Sequence, residues 1–428
     1  MTSHSETLPS TTPQLPVTAA DIDAAAVRLE GIANRTPLQL CHRLKAEHGA
    51  NILLKREDLQ AVRSYKIRGA YNLISQLTPE QRAHGVICAS AGNHGQGVAQ
   101  ACAELGVKAT IFVPTTTPRQ KRERMLALGG DFVKLMVVGD TYDDSSRAAR
   151  EAADEFGTVM VPAFDDPRTI AGQGTVAREI VDQLGEAPDV VIVPVGGGGM
   201  IAGITTWLAE NCPTTKIIGV EPAGASCLQA ALAAGEPVEL DDIDTFVDGA
   251  AVRKTGAVPY AIMSHHKVDL YSVPEGRVCS EMLELYQVDG IIAEPAGALA
   301  TSVLGQWVPE PGQTVVAILS GGNNDVSRYA EIIERALIYE GRKHYFLVNF
   351  PQEPGALRRF LEDVLGPGDD ITHFEYVKKN NRELGPALVG IELSSKDDFP
   401  GLRERMRNSN IDIEVIDPQS PTFRYLVS

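Results

Sequence analysis

Residues Val190 to Ala209 are twenty consecutive positions without a charge, and this stretch constrains the fold more than any other. Its length and polarity suit a membrane span. Its interior does not, because Pro194 and four successive glycines, Gly196 to Gly199, separate one apolar run from another. An interruption of that kind leaves backbone groups unsatisfied in lipid, whereas a buried strand, a tight turn and a buried helix accommodate it. The segment therefore reads as strand, turn and helix in a soluble core.

The pattern repeats along the chain to about Tyr339. Val86 to Ala89, Ala109 to Val113, Phe132 to Val138, Val159 to Val161, Lys216 to Val220 and Thr314 to Leu319 read as buried strands. Gln96 to Leu105, Arg119 to Leu128, Ser145 to Phe156 and Thr175 to Leu184 read as helices between them. Such alternation implies parallel sheets with crossover helices. After Gly341 the order becomes strand (His344 to Phe350), helix (Pro354 to Val364), two strands (Ile371 to Val377 and Leu388 to Leu393), helix (Phe399 to Met406) and strand (Asp412 to Ile416). That β-α-β-β-α-β order is ferredoxin-like. The expected layout is a disordered Ser/Thr/Pro-rich lead-in over residues 1–18, an α/β region over 19–340 and a separate domain over 341–428.

Charge narrows the partners. A net charge of −17 repels nucleic acid and anionic lipid, so neither is expected, and the partner is a small molecule. The lead-in lacks the basic and apolar regions of a signal peptide. The six cysteines are scattered without a Cys-x-x-Cys pair, and His265 and His266 have no acidic or cysteine ligand nearby in sequence. Neither a disulfide framework nor a metal is expected, and a reducing compartment, the cytoplasm, is.

Two features can carry chemistry. Lys66, within Ser64 to Ala70, has an amine able to form a Schiff base, although a lysine beside an arginine in a helical stretch is ordinarily a solvated residue. Gly196 to Gly199, between strand and helix, can hold a phosphate on backbone N–H groups. The same glycines admit a rival, because Gly197, Gly199 and Ala202 satisfy G-x-G-x-x-A after a strand, and Glu221 stands where a ribose-binding carboxylate belongs. Nicotinamide binding stays open on motifs alone. Ser90 to Gly95 and Ser320 to Asn323 each follow a predicted strand, at the strand ends where such sheets bind ligands. The charge run Lys55 to Asp58 reads as solvated or paired and is left out of the site.

Ser64 to Ala70, Ala89 to Gln96, Gly196 to Gly199, Glu294 to Ala298 and Leu319 to Asn323 resemble, in order and context, the second fold type of pyridoxal phosphate enzymes. Within it the chain is similar to the threonine dehydratases. The likeness continues through Asn349 to Leu357 into the regulatory domain of the biosynthetic branch. It implies a two-subdomain α/β enzyme, tryptophan synthase β-like, the smaller subdomain lying at about 65–165, with a C-terminal α+β ferredoxin-like (ACT-like) domain. It also implies pyridoxal 5′-phosphate as cofactor and L-threonine as substrate, eliminated to 2-oxobutanoate and ammonia on the way to isoleucine.

By the same resemblance Lys66 holds the cofactor and acts as base. Gly196, Gly197, Gly198, Gly199 and Met200 bind its phosphate, Asn93 its ring hydroxyl, and Ser320 faces its ring nitrogen. Ser90, Ala91, Gly92, Asn93 and His94 take the substrate carboxylate. Isoleucine as inhibitor, valine as activator and a homotetramer are implied as well. Ala91 stands where racemising relatives place a hydroxyl, which argues against racemisation. Serine against threonine preference stays open, since one methyl is worth only about 1 to 3 kcal/mol, and so does a C-terminal domain that only assembles subunits.

Overall fold

A computed structural model describes residues 15–376, 383–418 and 420–423. The chain divides into two compact units, one of residues 1–274 and 285–324, the other of residues 275–284 and 325–428.

The first unit holds two sheets. The larger is built from β1 (Leu38–Leu40), β2 (Asn51–Arg56), β7 (Val190–Pro194), β8 (Lys216–Pro222), β9 (Asp269–Val273) and β10 (Thr314–Leu319), in the order β1-β2-β10-β7-β8-β9. All neighbours pair in parallel except β1 with β2. The smaller sheet, wholly parallel, is β5-β4-β3-β6, from β3 (Val86–Ala89), β4 (Ala109–Val113), β5 (Val133–Val137) and β6 (Val159–Met160). Its strands all fall in sequence between β2 and β7, and the apolar cluster beside it draws on residues from Val62 to Val161. The charge-free stretch splits into β7 and the helix Gly199–Asn211. No helix among the described residues is long and apolar enough to cross a membrane.

Sequence reasoning passed over β1, β2 and β9. β2 was hidden by its ending, since Lys55 and Arg56 run straight into Glu57 and Asp58. All four are buried rather than solvated, and they are paired. The helix expected from Thr175 begins at Pro167 behind an Asp166 cap. Its weak signal comes from Gly172 and Gly174, which are small because backbone lies against them. A Cβ on Gly172 would stand 2.3 Å from the Arg68 carbonyl oxygen, and one on Gly174 would stand 2.9 Å from Gly203. Close approach, not flexibility, is what these glycines supply.

The second unit contains β11 (Lys343–Pro351), β12 (Asp370–Tyr376), β13 (Leu384–Glu392) and β14 (Asp412–Ile416) in the antiparallel order β12-β13-β11-β14. Helices Ala356–Val364 and Phe399–Asn408 bury Phe360 and Leu402 in one apolar cluster with Phe346, Val348 and Val389 of the sheet. This is the ferredoxin-like arrangement. The unit begins earlier than the expected boundary near residue 340, because the helix Tyr329–Tyr339 belongs to it. Glu334 of that helix accepts from the Tyr345 hydroxyl at 2.7 Å and pairs with Lys343. Of the lead-in, residues 1–14 lie outside the described residues, while Val17 is buried and Thr18 caps the helix Ala19–Arg28.

Candidate active site

The site assembles at the carboxyl ends of β3, β6, β7 and β10. Lys66 opens the helix Lys66–Ile74, and the residues before it are stitched to the loop after β10. Ser64 bridges Gly321, the Tyr65 N–H donates to the Ser320 carbonyl at 3.2 Å, and the Gly322 N–H donates to the Arg63 carbonyl at 2.9 Å. Half-buried Lys66 donates from Nζ to the Ala163 carbonyl at 3.1 Å, an oxygen that also accepts from Gln173 Nε2 at 3.0 Å. The amine is thus held inward rather than solvated as such a lysine ordinarily is.

Beneath that helix lies a buried charge network. Arg68 donates to both oxygens of Glu57, at 2.8 Å each, and to both oxygens of Glu179, at 2.7 and 2.9 Å. Lys55 reaches Glu179 at 2.7 Å, Gln183 at 2.9 Å and the Thr36 carbonyl at 2.8 Å. Burial alone would raise the Glu57 carboxyl, but Arg68, together with Lys55 and the Thr36 hydroxyl, reverses this and holds it below the ordinary range. The network fixes the first turn of the lysine helix against β2 and the helix Pro167–Leu184.

The four glycines follow β7 and lead into an uncapped helix start. Gly198, at φ +91°, is the residue before the helix, and no side chain caps it. Little room is left on these glycines. A Cβ on Gly197 would meet the Phe164 ring at 2.4 Å, one on Gly199 would meet Gln173 Oε1 at 2.6 Å and Phe164 Cβ at 2.8 Å, and one on Gly196 would meet the Ala250 backbone at 2.9 Å. The Gly197 carbonyl accepts from the Gly256 N–H at 3.1 Å. Unsatisfied N–H groups at a helix start behind side-chain-free residues can hold a phosphate. Ala163 and Phe164 join this cradle to the lysine, since one carries the Lys66 hydrogen bond and the next covers the glycines. Gln173 Oε1 and Ser64 Oγ are buried without a partner beside them. An inward amine, a phosphate cradle and orphaned polar atoms fit pyridoxal phosphate.

Asn93 is the first residue of the helix Asn93–Leu105, which also starts without a side-chain cap. Its Nδ2 donates to Glu294 Oε1 at 2.6 Å, and its Oδ1 accepts from Asn323 Nδ2 at 2.7 Å. Ser320 is buried and donates its hydroxyl to the Ala296 carbonyl at 3.1 Å. Ser90, Ala91 and Gly92 are half-buried in the preceding loop, where the Gly92 N–H donates to Ser90 Oγ at 3.3 Å. The carboxylate is expected on the backbone N–H groups of this loop, and the His94 side chain is engaged elsewhere. Its ring is buried with Nε2 2.7 Å from the Val161 carbonyl, and burial, with Lys66 nearby, lowers it to about 4. Only its backbone remains for an anion at the helix start. Met200 is buried in the first turn of its helix.

Glu294, Asn323, Gln173 and Phe164 were given no individual role by sequence reasoning. The first two lie inside motifs already singled out, so a signal existed; nothing local marks the other two. Glu221, the carboxylate of the nicotinamide alternative, is fully buried, and its oxygens accept from the Leu228 and Gln229 N–H groups at 2.8 and 2.9 Å. It caps a helix and has no face left for a ribose. A cavity of about 180 Å³, lined by Lys216, His266 and Lys267 among others, opens at the start of β8, the end of the sheet opposite these loops.

Residues 29–321 match the family described as pyridoxal-phosphate dependent enzyme, and residues 334–426 match the C-terminal regulatory domain of threonine dehydratase. Over 421 residues, 98% of each chain, the sequence is 59% identical to the biosynthetic L-threonine dehydratase IlvA of Mycobacterium tuberculosis (strain ATCC 25618 / H37Rv). The processed form of threonine deaminase isoform 2 from Solanum lycopersicum is a structural neighbour at 38% identity and a TM-score of 0.71, covering 77% of this chain and 94% of that one. A maize serine racemase superposes with a TM-score of 0.69 at 28% identity, over 76% and 99% of the two chains. The chain belongs to the pyridoxal-phosphate dependent enzymes and, within them, to the biosynthetic threonine dehydratases with a C-terminal regulatory domain.

Proposed function

We propose that this chain is a cytoplasmic L-threonine ammonia-lyase that converts L-threonine to 2-oxobutanoate and ammonia for isoleucine synthesis. The observation that carries the reading is the joining of the Lys66 amine to the four-glycine cradle through Ala163 and Phe164. Lys66 would hold the cofactor covalently, Gly196 to Met200 would hold its phosphate, Asn93 would bond its ring oxygen, and Ser320 would face its ring nitrogen. When bound, the cofactor supplies an electron sink for the pair left at Cα.

Each side chain then has one task. Lys66 Nζ, free of the cofactor when substrate is bound, would take the Cα proton. Ser90 to His94 receive the carboxylate on N–H groups at an uncapped helix start, which orients Cα toward that amine. Ser320 offers a neutral hydroxyl where a carboxylate would favour a protonated ring. With the cofactor bound, that neutral hydroxyl would disfavour a long-lived carbanion and so favour β-elimination, in which the β-hydroxyl would leave as water with the proton that Lys66 has taken available to it. Ala91 has no proton for the opposite face of Cα, which supports elimination over racemisation. The second unit carries regulation, with isoleucine as inhibitor opposed by valine, in a homotetramer.

The test is turnover of the holoenzyme on L-threonine and L-serine, with keto acid measured directly. The expected result is 2-oxobutanoate release with kcat/KM higher for threonine, and none from K66A. Preference for serine, or substantial turnover by K66A, overturns the reading.

A further inference from the structure

Asn93 can present either end of its amide to the oxygen of the cofactor ring, and the two ends have opposite consequences. An N–H stabilises an ionised ring oxygen, and a C=O stabilises a protonated one. The surrounding contacts decide between them. Asn323 Nδ2 lies 2.8 Å from the Val62 carbonyl and 2.7 Å from Asn93 Oδ1. A backbone carbonyl only accepts, so it fixes the NH₂ end of Asn323, and the second hydrogen of that group fixes the oxygen end of Asn93. At the other end Asn93 Nδ2 donates to Glu294 Oε1 at 2.6 Å.

We propose that Asn323 and Glu294 are positioning residues that lock the polarity of the Asn93 amide, so that its remaining N–H faces the cofactor ring and the resting enzyme holds the ring oxygen ionised. The proposal rests on the assignment of Asn93 to the ring oxygen made above. The lock is rigid because it is anchored in backbone. Gly321, whose carbonyl accepts from the Glu294 N–H, leaves no room for a Cβ, which would lie 1.9 Å from Glu294 Oε1. Burial first, and Asp248 second, raise the Glu294 carboxyl to about 7, while Asn93, Lys121 and Arg63 act in the opposite direction. Protonated or not, Glu294 keeps an oxygen that can accept from Asn93, so the polarity survives its titration.

Reversal of the lock tests it in the resting holoenzyme, without threonine. The readout is the ratio of the visible band, from the ionised ring oxygen, to the near-ultraviolet band, from the protonated one. E294Q alone still accepts from Asn93 and should leave the ratio within about twofold. N323D removes the donor to Asn93 and sets a second acceptor against it, so that Glu294 alone still holds the original polarity, and the ratio should fall at least about threefold. In N323D/E294Q, the glutamine introduced at position 294 can donate to the reversed amide, and the ratio should fall at least about tenfold. E294K/N323L, which faces Asn93 with a donor at position 294 and no donor at position 323, is the second route to reversal and should lower the ratio about fivefold even if N323D does not fold. A ratio within twofold of the parent in every foldable reversal variant overturns the proposal, as does an E294Q change as large as that of the double variant. Failure of the parent chain to retain stoichiometric pyridoxal phosphate through gel filtration would instead overturn the assignment on which the proposal rests.

Discussion

Replacing Arg68 by methionine removes the centre of the buried network under the lysine helix, and its cost can be worked from the contacts. Arg68 makes six donations, to Glu57, Glu179, Thr175 and the Asn34 carbonyl. Breaking a buried pair by removing one partner costs about 3 to 5 kcal/mol, because the other charge is left behind. Here the stranded Glu57 keeps the Thr36 hydroxyl at 2.6 Å and Gln60 at 3.2 Å, with Lys55 close by. These remaining partners place R68M near the lower bound, at about 3 kcal/mol, roughly a hundredfold in the unfolding equilibrium. Both tryptophans, Trp207 and Trp307, lie in the first unit, so their fluorescence follows that unit alone. With a urea slope of about 3 kcal/mol per M, the midpoint should fall by about 1 M. Adding E57L should recover part of the loss, giving a coupling of at least about 2 kcal/mol. A midpoint change under about 0.3 M, or simple additivity, would refute the argument that this network is a coupled, buried unit.

Three further outcomes are expected. G199A, whose new Cβ would stand 2.6 Å from Gln173 Oε1 and 3.0 Å from the Phe164 backbone, should raise the pyridoxal phosphate Kd at least about tenfold by equilibrium dialysis; unchanged affinity would remove the cradle assignment. His94 has a folded-state value of about 4 against about 6.5 in an unfolded chain, so between those values the unfolded chain binds the proton and the folded chain does not. Stability should therefore fall as pH drops through that window, by about 2 kcal/mol at pH 5, and H94N should flatten the slope of the urea midpoint against pH. Deleting residues after Gly341 should leave turnover of threonine while abolishing inhibition by isoleucine, measured as an inhibition curve; retained inhibition would place the effector elsewhere.

The strands and motifs that sequence reveals share a physical trait. Val86 to Ala89 and Thr314 to Leu319 are buried on both faces and carry no charge, so hydrophobicity alone delineates them to the residue. β2 ends in Lys55 and Arg56 and runs into Glu57 and Asp58; Arg56 and Asp58 pair with each other, but the burial of Lys55 and Glu57 becomes tolerable only when Glu179 and Arg68, distant in sequence, arrive to pair with them. Local chemistry holds no record of those partners. The glycines show the same division. Gly196 to Gly199 announce themselves by repetition, while Gly172 and Gly174 weaken a helix signal because the reason for them is another helix backbone. Within the site, Lys66 and Asn93 are legible from their motifs, but the joint held by Ala163 and Phe164 and the clamp of Glu294 and Asn323 on Asn93 exist only after folding.

The stitching of Arg63, Ser64 and Tyr65 to the loop after β10 gives Lys66 an unusual mechanical address. Residues just before it are tied to the larger sheet, and those just after it, Ile67, Ala70 and Leu73, are buried in the apolar cluster of the smaller one. Lys66 thus stands at the seam where two layers meet. If the layers tilt against each other to admit or release a ligand, points far out on either one sweep through space while a point on the pivot barely moves. The amine can then keep its station through a breathing motion that opens and shuts the walls around it.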